Sequence, residues 1–275
     1  MATKKTVGTS QVLTFLGVEL DTIKKQARLP ENRLHKCLSQ INEFLRRKKV
    51  TLQEIQSLCG LLNFACQVVV SGRTFLRRLF ELTYGLKKAH HRIKLDRVCN
   101  DDLQVCKTFL EQFNGKCFFI DETWVYSDKF LLFTDASGVH GYGEVFEKSW
   151  FYGSWNEEWL SYNITVTQLY PIVLAVGLWR ERLANRSVCF QCDNEALALM
   201  LNKKSSKEKN VMYVLRKLVF LSLKFNILFK AEHIPGKRNV LSDALSSLQI
   251  NRFQRLLPDA EVEPTLIPVL SALPC

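Results

Sequence analysis

Three aspartates stand out by their settings. Asp135 closes the apolar run of "KFLLFTDAS", Asp193 closes "SVCFQCDN", and Asp243 lies in "HIPGKRNVLSDALSSL". The first two runs read as buried strands that end in polar residues. If those strands are neighbours, their carboxylates meet at one sheet edge, where Asp243 can approach from a helix. Clustered carboxylates repel one another and are stable only where a cation neutralises them. Hard oxygen ligands on a rigid frame suit Mg²⁺ or Mn²⁺. Two such ions about 3.5–4 Å apart activate a water and stabilise the leaving oxygen of a phosphodiester. Taken singly, each acid has a plainer role as a cap or turn residue. Their shared placement at element ends is what points to metal-assisted hydrolysis.

That chemistry requires a frame, and residues 121–250 supply an α/β pattern. "KFLLFTDAS", "HGYGEVFE" and "SWFYGSW" predict an antiparallel meander of three strands. A helix over Thr167–Leu183 follows. Then come the strand "SVCFQCDN", helices over Glu195–Leu201 and Lys207–Leu223, the strand "FNILFKAEHIP", and a helix over Asn239–Leu248. The order is βββαβαβα, a mixed five-stranded sheet with flanking helices. Residues 251–275 carry Pro258, Pro264, Pro268 and Pro274 and read as a flexible tail.

Residues 12–120 are mainly helical, after a tail over 1–11. "VLTFLGVELD" reads as a strand with "QARLP" as its hairpin partner, and Pro30 opens a helix. Thr51 and Glu54 form a capping box ahead of a helix reaching about Val70. The stretch "SGRTFLRRLFELTYGLKKAHHRIKL" reads as a basic amphipathic helix. Its Arg73, Arg77, Arg78, Lys87, Lys88 and Arg92 are candidates for contact with a nucleic-acid backbone, Arg73 and Arg77 being one turn apart. A last helix over Asn100–Phe113 ends at Asn114-Gly115, with Asp101-Asp102 as its cap.

The net charge of +11 and pI near 9.2 favour an anionic partner, nucleic acid first. Residues 1–11 are basic with no apolar segment after them, which does not suit a signal peptide. No run of about 18 residues is apolar throughout, so no membrane span is expected. Nine cysteines, without framework spacing, suit a reduced intracellular compartment, nucleus or cytoplasm. In that setting the sequons at Asn163 and Asn185 are chance. Cys189 and Cys192 form a CxxC inside a strand, with no second pair to complete a zinc site. His90-His91 reads as decoration of a basic loop and His233 as structural, and Trp150, Phe151, Tyr152 and Trp155 read as core, with base stacking open only to those that face out. Ser137 has no His and acid in a triad pattern.

"FTDASGVHGYGEVF", "CDNEAL" and "HIPGKRNVLSDALSSL" resemble the acid-bearing blocks of the ribonuclease H-like domain of retroelement reverse transcriptases. The nearest variant is that of DIRS-type elements, which carry a tyrosine recombinase. "FLGVELDT", "ARLPENRL", "TLQEIQSLCGLLNFAC", "GRTFLRRLFELTYG" and "FNG" resemble the thumb and connection segment preceding it, so the likeness spans about residues 12 to 250. It implies that Asp135, Asp193 and Asp243 are catalytic, metal-binding positions, with Mg²⁺ or Mn²⁺ as cofactor and an RNA–DNA hybrid as partner. The family's remaining acid is a Glu in a block like "ELYPIVLA"; this chain has "QLYPIVLA", with Gln168 in its place. An amide binds a hard divalent ion less well and cannot offset its charge. Glu144, Glu157 and Glu158 are the substitutes at hand. No "YxDD"-like acid pair in a strand-turn-strand setting occurs, so the chain is not expected to polymerise by itself. The expectation is a nucleic-acid-binding fragment with impaired or lost ribonuclease H catalysis. An active nuclease and a non-catalytic interaction protein are the alternatives.

Overall fold

The computed structural model describes residues 8, 10–69, 71–112, 116–118 and 124–268. It is of the α/β class, and its contacts divide the chain into two units, Met1–Phe119 and Ile120–Cys275.

The first unit begins with β1 (Val12–Phe15) and β2 (Val18–Asp21), where a single strand was expected. Leu16 and Gly17, at φ 49° and 83°, make the tight turn that folds the two strands together. Two consecutive positive φ values give the twist a two-residue hairpin needs. Next come β3 (Gln26–Arg28), α1 (Glu31–Arg46), β4 (Lys49–Thr51) and α2 (Leu52–Ala65). They are followed by α3 (Arg73–Glu81), β5 (Arg92–Lys94), α4 (Arg97–Gln112) and β6 (Lys116–Phe118). One sheet has the order β1-β2-β3-β6, and β4 pairs with β5 in a separate ribbon. Ile41, Phe44, Ile55, Leu58, Leu62, Leu79 and Leu103 form the core between the helices.

The capping box at Thr51 and Glu54 is present, but α2 stops at Ala65, and Val70 lies outside the described residues. The basic stretch is not one helix. It gives the short α3, turns through 82–91 including Gly85 at φ 75°, and then strand β5. Asp101 and Asp102 lie inside α4, whose cap is instead Asp96, accepting from the Cys99 N–H at 2.7 Å. Asp102 is buried and pairs with Arg78. Asn114-Gly115 lies outside the described residues.

The second unit runs β7 (Val125–Tyr126), a 3₁₀ turn (Ser127–Phe130), β8 (Leu132–Ala136), β9 (Gly141–Phe146) and β10 (Ser149–Ser154). Helices α5 (Glu157–Leu160), α6 (Ile164–Leu178) and α7 (Arg180–Leu183) precede β11 (Ser187–Cys192). Then follow α8 (Glu195–Lys203), α9 (Lys209–Lys224), β12 (Leu228–His233), α10 (Val240–Ser246) and α11 (Ile250–Leu256). Instead of one mixed five-stranded sheet, the five expected strands divide between an antiparallel ladder β10-β9-β8 and a parallel ladder β12-β11-β7; among the described residues β11 pairs with the unexpected β7 and not with β8. Short β7 and the turn after it lie along β11, where the Gln191 N–H donates to the Ser127 hydroxyl at 3.1 Å.

The pleat of β9 sorts its side chains to two faces. Gly143 and Val145 face α10, in a cluster of Trp150, Ala244, Leu245 and Phe253. Tyr142 and Phe146 face the other way, onto Tyr170 of α6 and Trp179. Beyond Gln249, the tail expected to be flexible forms α11 with Phe253 fully buried. Further on, the N–H groups of Glu261 and Thr265 donate to the carbonyls of Lys148 and Trp150 at 2.9 and 2.7 Å. The Trp150 indole N–H donates to the Glu261 carbonyl at 2.7 Å.

Candidate functional site

Asp135 is the penultimate residue of β8, and its pleat position directs it toward α10. The Ser246 hydroxyl, one turn after Asp243 on α10, donates to Asp135 Oδ2 at 2.6 Å. The start of α10 is held to the same strand by the Asn239 side-chain amide, which donates to the Thr134 carbonyl at 2.8 Å. Gly143 makes this docking possible: a Cβ there would stand 2.1 Å from Leu245 Cβ. Burial pushes the Asp135 carboxyl up to about 6; the Ser246 hydroxyl pulls it back, and the charges of Asp193 and Asp243 raise it further. Of the aspartates read from the sequence, Asp193 and Asp243 are thus each near enough for their charge to act on Asp135.

Asp193 follows the last residue of β11 and is exposed. The His233 Nε2 lies 3.2 Å from its carbonyl oxygen, so this histidine contacts backbone rather than carboxylate. The cap of α8 is Asn194, whose Oδ1 accepts from the Leu197 N–H at 3.1 Å. Its amide also donates to Gln168 Oε1 at 2.5 Å. Asp243, half-exposed, accepts at 2.9 Å from the Arg252 guanidinium on α11. Helix α6 starts at Ile164, before the expected Thr167, so Gln168 stands in its second turn.

Of the substitute acids, Glu157 and Glu158 lie in the first turn of α5, exposed. Glu144 differs. It sits on β9 opposite Thr134, is 0 % exposed, and neither carboxylate oxygen has a hydrogen-bond partner. Burial, then the charge of Asp135, raises its pKa well above the ordinary value. Its pleat position puts it on the α6 side, whereas Asp135 faces α10.

The donor set as placed does not fit a divalent ion. Asp135 accepts from a hydroxyl, Asp243 from a guanidinium and Gln168 from an amide. Among the described residues, no three His, Cys, Asp or Glu side chains converge on one point suited to a metal. Charge that a cation would offset is met in part by Arg252. Cys189 and Cys192 are buried, which pushes their thiols up to about 11 and 12.

The basic candidates divide. Arg73 is exposed at the start of α3. Arg77 pairs with Glu81 at 2.6 Å, and Arg78 reaches Asp102 at 3.5 Å. Lys87, Lys88 and Arg92 are exposed and form no ion pair among the described residues. Trp150 and Phe151 are core, as expected; Trp155 stacks on Trp159 beside Tyr170, and Tyr152 is partly exposed. Ser246 and Arg252 were not singled out from the sequence. Spacing held one clue: Ser246 follows Asp243 by three residues, and so shares its helix face.

No family model and no curated protein matches the sequence. Among solved structures, the chain is similar to a foamy viral protease-reverse transcriptase in complex with RNA/DNA hybrid, at a TM-score of 0.35 and 15 % identity, covering 99 % of this chain and 33 % of that one. The foamy viral protease-reverse transcriptase dRH in complex with double-stranded DNA gives a TM-score of 0.32 and 15 % identity over 80 % of this chain and 38 % of that one. RNase H1 from the halophilic archaeon Halobacterium salinarum gives 0.34 and 12 %, over 46 % of this chain and 97 % of that one. The chain spans little more than a third of the viral chains. Among the described residues, no helix is long and apolar enough to cross a membrane.

Proposed function

We propose that this chain is a fragment of a retroelement reverse transcriptase of the DIRS type. It comprises a thumb and connection segment followed by a ribonuclease H-like domain, and it binds nucleic acid, an RNA–DNA hybrid in particular. Its hydrolysis of the RNA strand is impaired or lost. The observation that supports this reading is the engagement of the expected metal-site residues by other side chains: Gln168 by Asn194, Asp135 by Ser246 and Asp243 by Arg252. Mg²⁺ or Mn²⁺ would supply water activation in an active relative, but the side chains here answer one another instead. Disturbing even an outer partner of a metal ligand costs about 10–100-fold in affinity or activity, and loss of a charged ligand costs at least as much.

A second reading, an active nuclease, is favoured by one observation: Glu144, on the strand next to that of Asp135 but on the other face of the sheet, is a buried carboxyl without hydrogen-bond partners. Incubation of the purified chain with a labelled RNA–DNA hybrid and Mg²⁺ or Mn²⁺ separates the two. Cleavage gained only in Gln168→Glu supports impairment. Cleavage by the unaltered chain that vanishes in Asp135→Asn refutes it, and further loss in Glu144→Gln identifies the acid that serves instead.

A further inference from the structure

The described cations of the first unit include a set paired with acids, a set gathered on one ribbon, and others exposed elsewhere, among them Lys24, Lys25, Lys36, Arg46, Arg73 and Arg97. Arg28, Arg47, Arg77, Arg78 and Lys107 are paired with acids of the same unit. Lys48, Lys49, Lys87, Lys88, Arg92 and Lys94 are exposed and form no ion pair among the described residues. All six lie on the β4–β5 ribbon or on the segments that lead into it. In register, Lys49 stands directly opposite Lys94, and Thr51 opposite Arg92. Val50 and Ile93 face the other way and are buried, so this face of the ribbon is turned to solvent.

Like charges set directly opposite on a sheet destabilise it. Among the described residues no acid pairs with these cations: Glu54 is taken by Arg47 and by the Thr51 cap, and Asp96 caps α4. The leading turn is also held firmly. The N–H groups of Leu52 and Gln53 donate to the carbonyls of His91 and Ala89 at 2.9 and 3.1 Å, and the His91 N–H donates to the Lys88 carbonyl at 2.9 Å. The first turn of α2 therefore fixes the basic loop, and its N–H groups are not free for an anion. The side chains are presented from a preset backbone, which lowers the ordering cost of binding.

We propose that the exposed face of the β4–β5 ribbon, with the turn at Lys87 and Lys88, is the phosphate-backbone contact of this chain for an RNA–DNA hybrid. This inference rests on the reading under Proposed function and deepens it. Same-face residues along a strand stand about 7 Å apart. The ribbon thus offers a short double row of cations to successive phosphates, which positions a duplex without reading its bases. Arg77 and Arg78 of α3 are held by acids and contribute little.

The test uses the full chain and a fluorescently labelled RNA–DNA hybrid, with anisotropy titrations from 50 to 200 mM KCl as a practical range, set where counterion release is steep, about 10³–10⁵-fold for many contacts. The variants are Lys49→Ser/Lys94→Ser, Lys87→Ser/Lys88→Ser and Arg77→Ser. Each phosphate contact contributes about 0.9 to the slope of log K against log salt, so the first variant should lose about 1.8 in slope and bind roughly tenfold more weakly per contact at 0.1 M. Lys87→Ser/Lys88→Ser should fall in the same direction, and Arg77→Ser should match the unaltered chain. Thermal melting of Lys49→Ser/Lys94→Ser should be no lower than that of the parent, since a repulsion is removed. Hybrid binding with an unchanged slope in both ribbon variants overturns the ribbon assignment alone. Absence of hybrid binding by the unaltered chain overturns both readings. Capture instead by phosphatidylserine vesicles, lost in the ribbon variants, would replace the nucleic acid with a lipid surface and overturn the proposal.

Discussion

Replacing Glu144 with Gln should stabilise the second unit, by an amount that grows with pH. Glu144 is 0 % exposed, and neither of its carboxylate oxygens has a hydrogen-bond partner. Burial, aided by Asp135, raises its folded-state pKa well above 4.5. The unfolded chain gives up this proton near pH 4.5, while the folded chain keeps it. Between that pH and the folded-state value, the folded form binds one more proton, so stability falls as pH rises, by about 1.4 kcal/mol per unit. Below that window, acid and amide are both neutral and unpartnered and cost alike, about 1–3 kcal/mol each. The difference between Glu144→Gln and the parent should therefore be small in acid, climb with that slope, and level off above the folded-state pKa. Asp135 also titrates, at about 6, but both proteins share it. Urea unfolding followed by tryptophan fluorescence from pH 5 to 8 measures this cleanly, where the slope in urea is about 1–3 kcal/mol/M. Trp124, Trp150, Trp155, Trp159 and Trp179 all lie in the second unit, so the signal reports that unit alone. A difference that stays flat with pH, or a Gln variant less stable at pH 8, would refute the reasoning.

Gly143→Ala should lower the melting temperature and loosen α10, because its Cβ would stand 2.1 Å from Leu245 Cβ; overpacking of this kind costs about 1–3 kcal/mol or more. Trp150→Phe should lose about 1 kcal/mol with the bond to the Glu261 carbonyl and speed proteolysis within 257–268, whereas Trp150→Ala should cost about 3–5 kcal/mol, both read by urea unfolding. Thr51→Ala removes one half of the α2 capping box and should cost about 1 kcal/mol, measured by circular dichroism. The Arg47 guanidinium and the Thr51 N–H hold Glu54 down at about 2, so its contribution is complete above the ordinary value of 4.5 and is lost as pH falls toward 2. Glu54→Gln should flatten that part of the acid melting profile.

The chemistry-bearing strands were legible because apolar runs ending in an acid need few neighbours to define them. Strands β8, β11 and β12 fall where "KFLLFTDAS", "SVCFQCDN" and "FNILFKAEHIP" place them. The Thr51–Glu54 box was readable for the same reason, since both partners lie within one turn. What escaped depends on distant contacts. Nothing local says that Arg252 reaches Asp243, or that Asn194 joins Gln168 across 26 positions. The basic stretch was read as one helix because its charges recur at helical spacing, but Gly85 and pairing with β4 turn its second half into a strand. Glu144 showed as an acid in an apolar strand, but its isolation is a property of the packed interior.

Residues 261–265 serve as a guard. Among the described residues, strand β10 pairs with β9 on one side only, and residues 261–265 take up the carbonyls of Lys148 and Trp150. An open strand edge is a template for pairing with other molecules. A piece cut after the last candidate acid would bare that edge together with the seat of Phe253, and would self-associate in solution. Any version of the second unit prepared for assay should therefore run through Thr265.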